Sequence, residues 1–284
     1  MIFLNGDGAA FGPSPPRPYS EGAETMTIID ADCHISPTPE SGNSIGREEL
    51  LARMDRAGVA KALVWLQPPY RRDGIEASNR YVYESASLHP DRFLGFGWAD
   101  PSLGVEHAVR EARRCLSDYG FRGVKLNGAQ NGFPIDDPER ALPVIDAIAE
   151  AGGVLAFHIG ADSYNNTHPW RLAKVSDRHP RLPILAVHMG GASFDDMSDL
   201  VIEAAASRPS ITLIGSAVRS IPILKAVRKL GPDRVCFGSD TPFELMHVEV
   251  AKYLTLLEGE IPPEDIERVM GGNLARILGV KAGA

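Results

Sequence analysis

The feature that most constrains this chain is an alternation. From Met26 onward, eight short apolar runs are each followed by a longer stretch with helical spacing. The runs are TIIDADCHI, AKALVWL, RFLGFGW, FRGVKL, GVLAFHI, LPILAVH, ITLIGS and DRVCFGS. They are rich in Val, Ile, Leu and Phe, as expected of parallel strands buried on both faces. Between them the sequence predicts helices over Arg47–Arg56, Gly74–Leu88, Gly104–Asp118, Pro138–Ala151, Trp170–Arg178, Asp195–Ser207, Ile221–Lys229 and Met246–Leu257, with a last one over Pro263–Leu278. Asp137-Pro138 places Pro at the first helical position of the fourth helix, a favoured start. Eight strand–helix units in about 250 residues point to an α/β chain forming a single (β/α)8 TIM-type barrel over residues 26–284. A doubly wound open sheet gives a similar alternation, usually with fewer strands and a Gly-rich phosphate loop after the first. Here the first strand runs into Cys33-His34-Ile35-Ser36-Pro37, with no GxGxxG or GxxxxGK[ST].

Residues 1–25 are rich in Gly, Pro, Ser and Ala and carry no periodicity, so a disordered N-terminal extension is expected there. They lack a basic start and a continuous apolar stretch, which argues against a secretory leader. The chain holds 37 acidic and 29 basic residues, a net charge of −8, the opposite of a nucleic-acid-binding stripe. No apolar run approaches the roughly 18 residues of a membrane span. Three cysteines without a CxxC fit a reducing compartment, and the cytoplasm is the expected location.

In such a barrel the chemistry gathers at the C-terminal ends of the strands. The first strand ends with Asp30, Asp32 and His34, and period-two geometry puts all three on one face. The fifth strand ends in His158, the sixth in His188 and the eighth in Asp240. Taken singly, each has an ordinary explanation as a structural histidine or a capping aspartate. Their coincidence at one end of one barrel favours a metal site, because a cation is the simplest partner for buried ionisable groups. Lys125 ends the fourth strand and has three open readings: a cation paired with an acidic side chain, a binder of a substrate carboxylate, or a carboxylated bridge between two metals. Trp98, at the end of the third strand, and Arg219, after the seventh, are candidate substrate contacts, since an aromatic beside cations suits a small planar or carboxylated molecule. Cys33 alternates away from Asp32 and His34 and should face the helices.

The segments IIDADCHI, LLARMDRAGVAKALV, HPDRFLGFGWADP, GFRGVKL, VLAFHIG, AVHMGG, RVCFGSDTPF and GGNLARILG, in order from Ile28 to Gly279, resemble the amidohydrolase superfamily. The likeness is to its amidohydrolase-related branch, which includes aminocarboxymuconate-semialdehyde decarboxylase-like enzymes. That resemblance implies Asp32, His34, His158 and Asp240 as metal ligands, with Asp240 also moving a proton and His188 acting beside the metal. The branch often reads His-x-His in its first strand; here the first position is Asp32. One divalent ion is implied, zinc first, with manganese or iron made more credible by two oxygen ligands. A divalent ion can lower the pKa of water towards ~7. The expected function is a metal-dependent hydrolase of a C–O or C–N bond in a small substrate, with or without a carboxylate. The alternative is a metal-dependent non-oxidative decarboxylase of the same branch, and a metal-free binding or scaffold barrel is a third reading. The expected partner is a small molecule, with neither nucleic acid nor membrane, and the chain is expected to work as a homo-oligomer, dimer or tetramer.

Overall fold

The structure, a computed structural model, describes residues 26–38, 44–67, 74–191 and 197–282. The expected extension over residues 1–25 lies outside the described residues. The strands are β1 (Ile28–Ile35), β2 (Val59–Leu66), β3 (Phe93–Gly95), β4 (Gly97–Trp98), β5 (Gly123–Leu126), β6 (Val154–His158), β7 (Ile184–Val187), β8 (Ile211–Ile214) and β9 (Val235–Cys236). All neighbouring pairs are parallel, in the orders β1-β2-β3 and β4-β5-β6-β7-β8-β9.

These two ladders form one barrel. β3 and β4 are two pieces of a single stave, the third, and across their break Phe96 N donates to Val64 O of β2 at 2.9 Å. At the other edge Ala31 N donates to Phe237 O (3.1 Å) and His34 N to Thr241 O (2.8 Å), while Cys33 bridges Thr241 in parallel. β9 thus continues along β1 and closes the ring of eight staves. The break in the third stave is itself tied down: Asn79 Oδ1 accepts from Trp98 N (3.0 Å), and its Nδ2 donates to Trp98 O (2.8 Å) and to the buried Glu111 (2.9 Å).

Alternation along the staves builds two apolar layers. Leu63, Trp65, Phe96, Trp98, Ala156, Leu185, Val187, Ile214 and Cys236 pack inside the barrel. Val64, Val124, Leu155, Phe157, Ile184, Ala186 and Leu213 face the surrounding helices together with Leu50, Met54, Ala112 and Val227. The helices follow the sequence reading closely. Met246–Leu257 begins and ends where expected, whereas the fourth helix starts at Ala141. Asp137 there caps a turn, accepting from Glu139 N and Arg140 N. The last helical stretch is continuous through a π-turn at Arg268–Gly272.

β1 departs from its expected pattern. Ile29 and Ala31 belong to the inner layer, but Cys33 and Ile35 belong to the helix-facing one. The pairing with β2 slips between Asp30 and Cys33. An extra residue at this bulge flips the alternation, so that Ala31 and Asp32 both turn inward. Asp30 therefore does not share a face with Asp32 and His34. It lies on the outer side, where its Oδ1 accepts from Asp32 N and Ser239 N and its charge acts on the Cys33 thiol and the Tyr253 hydroxyl.

Candidate metal centre

The bulge delivers Asp32 and His34 to the inside at the C-terminal end of β1. Gly238 makes room for them: a Cβ there would stand 3.2 Å from Asp32 Cβ and 2.6 Å from Ile214 Cγ2. Glycine in the FGSD segment therefore lets the eighth stave close against the site.

Asp32, His188 and Asp240 each bring one donor atom within 4.8 Å of the others. His34 Nε2 lies 3.2 Å from Asp32 Oδ1 and 3.5 Å from Asp240 Oδ1. Its Nδ1 donates to Leu66 O at 2.8 Å, which fixes the tautomer and leaves Nε2 as the acceptor nitrogen beside the carboxylates. In that position Nε2 accepts from Trp65 Nε1 at 3.0 Å. His188 Nδ1 sits 3.1 Å from Ser216 O, and Ser216 Oγ donates to Asp32 Oδ2 at 2.5 Å. Two of these residues adopt left-handed backbone: His188 (φ 66°) and Asp240 (φ 59°). Met189 and Ala217, which follow His188 and Ser216, do so as well. Non-glycine residues rarely hold that conformation, and their gathering at strand ends is typical of functional sites.

The other expected site residues are distributed around this cluster. His158 touches it edge-on, its ring centroid 4.7 Å from that of His188, and its Nε2 lies 3.0 Å from both oxygens of Asp162. Lys125 is buried beside it, Nζ 3.7 Å from Asp32 Oδ1, 3.7 Å from the Trp65 ring centroid and 5.3 Å from that of Trp98. Trp98 is thus a buried wall of the lysine's chamber. Arg219 is exposed at the start of the helix Ser220–Leu230, outside the buried cluster.

The electrostatics follow from burial and pairing. Burial opposes ionisation of Asp32, but the Lys125 ammonium and the His34 and His188 rings hold its carboxyl well below the usual range. Burial lowers the pKa of Lys125 despite Asp32 and Asp240, and burial lowers that of His188 despite the same two carboxylates. Asp32 Oδ1 is buried and accepts no hydrogen bond among the described residues. An orphaned carboxylate oxygen beside an imidazole nitrogen and a second carboxylate is a donor set that a divalent cation completes. Mixed nitrogen and oxygen donors suit manganese, iron and zinc alike.

Sequence reasoning missed two participants. Ser216 has a weak signal, a small polar residue just past a strand end in the Gly-Ser pair. Asp162 falls in a loop whose return to His158 has no sequence signature.

A sequence model of the family described as amidohydrolase matches residues 29–280. The 2-amino-3-carboxymuconate-6-semialdehyde decarboxylase of Dictyostelium discoideum is 24% identical over 76% of this chain and 69% of its own length. A gamma-resorcylate decarboxylase of a Rhizobium species is 26% identical over 68% of this chain and 76% of its own. Among solved structures, a dihydroxybenzoic acid decarboxylase from a Polaromonas species, with bound manganese and the inhibitor 2-nitroresorcinol, superposes with a TM-score of 0.71 at 18% identity, covering 89% of this chain and 97% of that one. These findings overturn the expectation of a hydrolase: the relatives are decarboxylases. Zinc as first choice finds no support either, since manganese is the ion bound in the Polaromonas structure. The barrel, the strand-end cluster and the match over residues 29–280 agree, and the chain belongs to the amidohydrolase family as one of its enzymes.

Proposed function

We propose that the protein is a metal-dependent, non-oxidative decarboxylase of a small aromatic carboxylic acid. The observation that carries this reading is the joining, inside one barrel, of a two-carboxylate cluster with Lys125, a buried ammonium. A divalent ion held there would bind the anionic oxygens of the substrate and draw off developing negative charge. Lys125 adds positive charge that attracts the substrate carboxylate. Asp240 gives a proton to the ring carbon that bears the carboxylate; the bond from that carbon to the carboxylate then breaks, its electron pair returns to the ring, and CO2 leaves. No oxidant or reductant is needed. His188 orients the substrate, and Asp240 regains from solvent the proton that it gave to the ring. The left-handed backbone at both residues holds them in place, so little reorganisation is required during the reaction.

The proposed ion ligands are Asp32, His34, His158 and Asp240, with His188 beside the ion. A second reading exchanges the two later histidines, and one observation favours it: His188 lies within the carboxylate cluster, while His158 Nε2 is engaged by Asp162. The test of function is incubation of the Mn²⁺-loaded protein with hydroxylated benzoates, and with lactones and amides as a contrast. CO2 release with a proton gained at the former carboxyl position supports the proposal. Hydrolysis of the lactones or amides without CO2 release overturns it. Light scattering tests the expected dimer or tetramer.

A further inference from the structure

Asp30 is a buried carboxylate next to the site that the proposed reaction leaves unused. The bulge in β1 turns it away from the barrel interior, yet its Oδ1 accepts from two amides that belong to the site's frame. One is Asp32 N at 3.0 Å, the other Ser239 N at 2.9 Å. These amides lie on the two strands that meet where the barrel closes. Asp32 carries one site carboxylate, and Ser239 immediately precedes the other, Asp240.

The seam between these strands is held by few ladder bonds. Ala31 N reaches Phe237 O and His34 N reaches Thr241 O, and the bulge takes the intervening Asp32 amide out of that ladder. A buried amide without an acceptor is costly, so a side chain must supply what the ladder does not. One oxygen of Asp30 satisfies both donors, while its Oδ2 has no hydrogen-bond partner among the described residues. The bridge that Asp30 adds passes through a single atom, hydrogen-bonded on both sides of the seam.

We propose that Asp30 is a positioning residue for the ion site: its Oδ1 sets the separation of the Asp32 and Asp240 carboxylates by tying their backbones together across the seam. The inference rests on the reading of Asp32 and Asp240 as ion ligands. Outer contacts of this kind typically change metal affinity about 10–100-fold when removed.

The test titrates Mn²⁺ by calorimetry into the ion-free full-length wild type, Asp30→Asn, Asp30→Leu, Asp240→Ala and Asn273→Ala. Asp30→Asn keeps an acceptor at Oδ1 and should bind Mn²⁺ within about threefold of wild type. Asp30→Leu fills the same space without an acceptor and should weaken binding about 10–100-fold. Asn273 bonds Pro232 O and Val235 O at the far end of β9, so Asn273→Ala loses stability but should keep its affinity. Unchanged affinity in Asp30→Leu, or equal weakening in Asn273→Ala, overturns the positioning role. Wild type and Asp240→Ala binding Mn²⁺ equally well overturns instead the ion-site reading on which it rests. Amide exchange in wild type and Asp30→Asn gives a readout that does not depend on a destabilised variant. The Asp32 and Ser239 amides should be protected in both proteins, and rapid exchange of either in the wild type overturns the inference.

Discussion

Lys125 and Asp32 form an ion pair inside the barrel, Nζ to Oδ1 at 3.7 Å, with both side chains closed to solvent. The Trp65 and Trp98 faces complete the lysine's surroundings. Indole faces and a carboxylate together stabilise a positive charge and favour the ammonium form of Lys125. Removing one partner of a buried pair leaves an uncompensated charge. Lys125→Met is therefore expected to destabilise the ion-free protein by about 3–5 kcal/mol in urea denaturation. Mn²⁺ should restore part of that loss by becoming the counter-charge of Asp32. The same loss with and without Mn²⁺ would count against the ion site.

The roles of the two later histidines separate by metal analysis beside kinetics. His158→Ala should lose its ion, because three donors hold it poorly. His188→Ala should retain the ion and lose about 10²–10⁴-fold in turnover. Asp240→Asn should lose both activity and ion affinity. Loss of the ion from His188→Ala with retention in His158→Ala would establish the second ligand set.

Asn79 performs the work of a missing strand at the break in the third stave. Asn79→Ala removes a hydrogen bond from the Trp98 amide, one from its carbonyl and a partner of the buried Glu111. A loss of about 2–4 kcal/mol is expected by denaturant titration. A loss below about 0.5 kcal/mol, as for an ordinary surface substitution, would show that the break needs no such tie.

Asp30 gives stability a pH dependence of definite sign. Burial outweighs its hydrogen bonds to Ser239 and Asp32 and pushes its pKa up to about 7. Below about pH 4 the carboxyl is protonated in both the folded and unfolded chains. Between about pH 4 and 7 the unfolded chain ionises it while the fold holds the proton, so the unfolded state binds fewer protons and stability falls as pH rises. Above about 7 the loss is complete. The difference in unfolding free energy between wild type and Asp30→Asn should therefore shift against the wild type across this window, by the order of 4 kcal/mol. A difference that stays constant with pH would show that Asp30 titrates normally.

The alternation of apolar runs and helical stretches made the barrel legible, because an inner and an outer apolar layer must be written into every stave. Strand-end polar residues likewise marked the site, since the staves' C-terminal ends are where charges can be gathered. The expectation for β1 failed on one residue: a bulge leaves no mark in a period-two pattern, so Asp30 read as facing inward with Asp32. The hydrolase expectation failed because bond hydrolysis and decarboxylation draw on the same imidazoles and carboxylates, and residue types alone do not separate them.

What the sequence by itself determined is therefore periodic and local: the stave and helix order, the inward residues of the regular strands, and the strand ends that carry His158, His188 and Asp240. The tertiary structure decided everything that depends on which strands meet. The chain brings Asp30 to Ser239 across 209 positions, Ser216 to Asp32 across 184, and sets Lys125 against Trp65, Trp98 and Asp32. Such pairings arise from ring closure and from the bulge that turns Asp32 inward, and both are fixed by the summed packing of all eight staves rather than by any one segment.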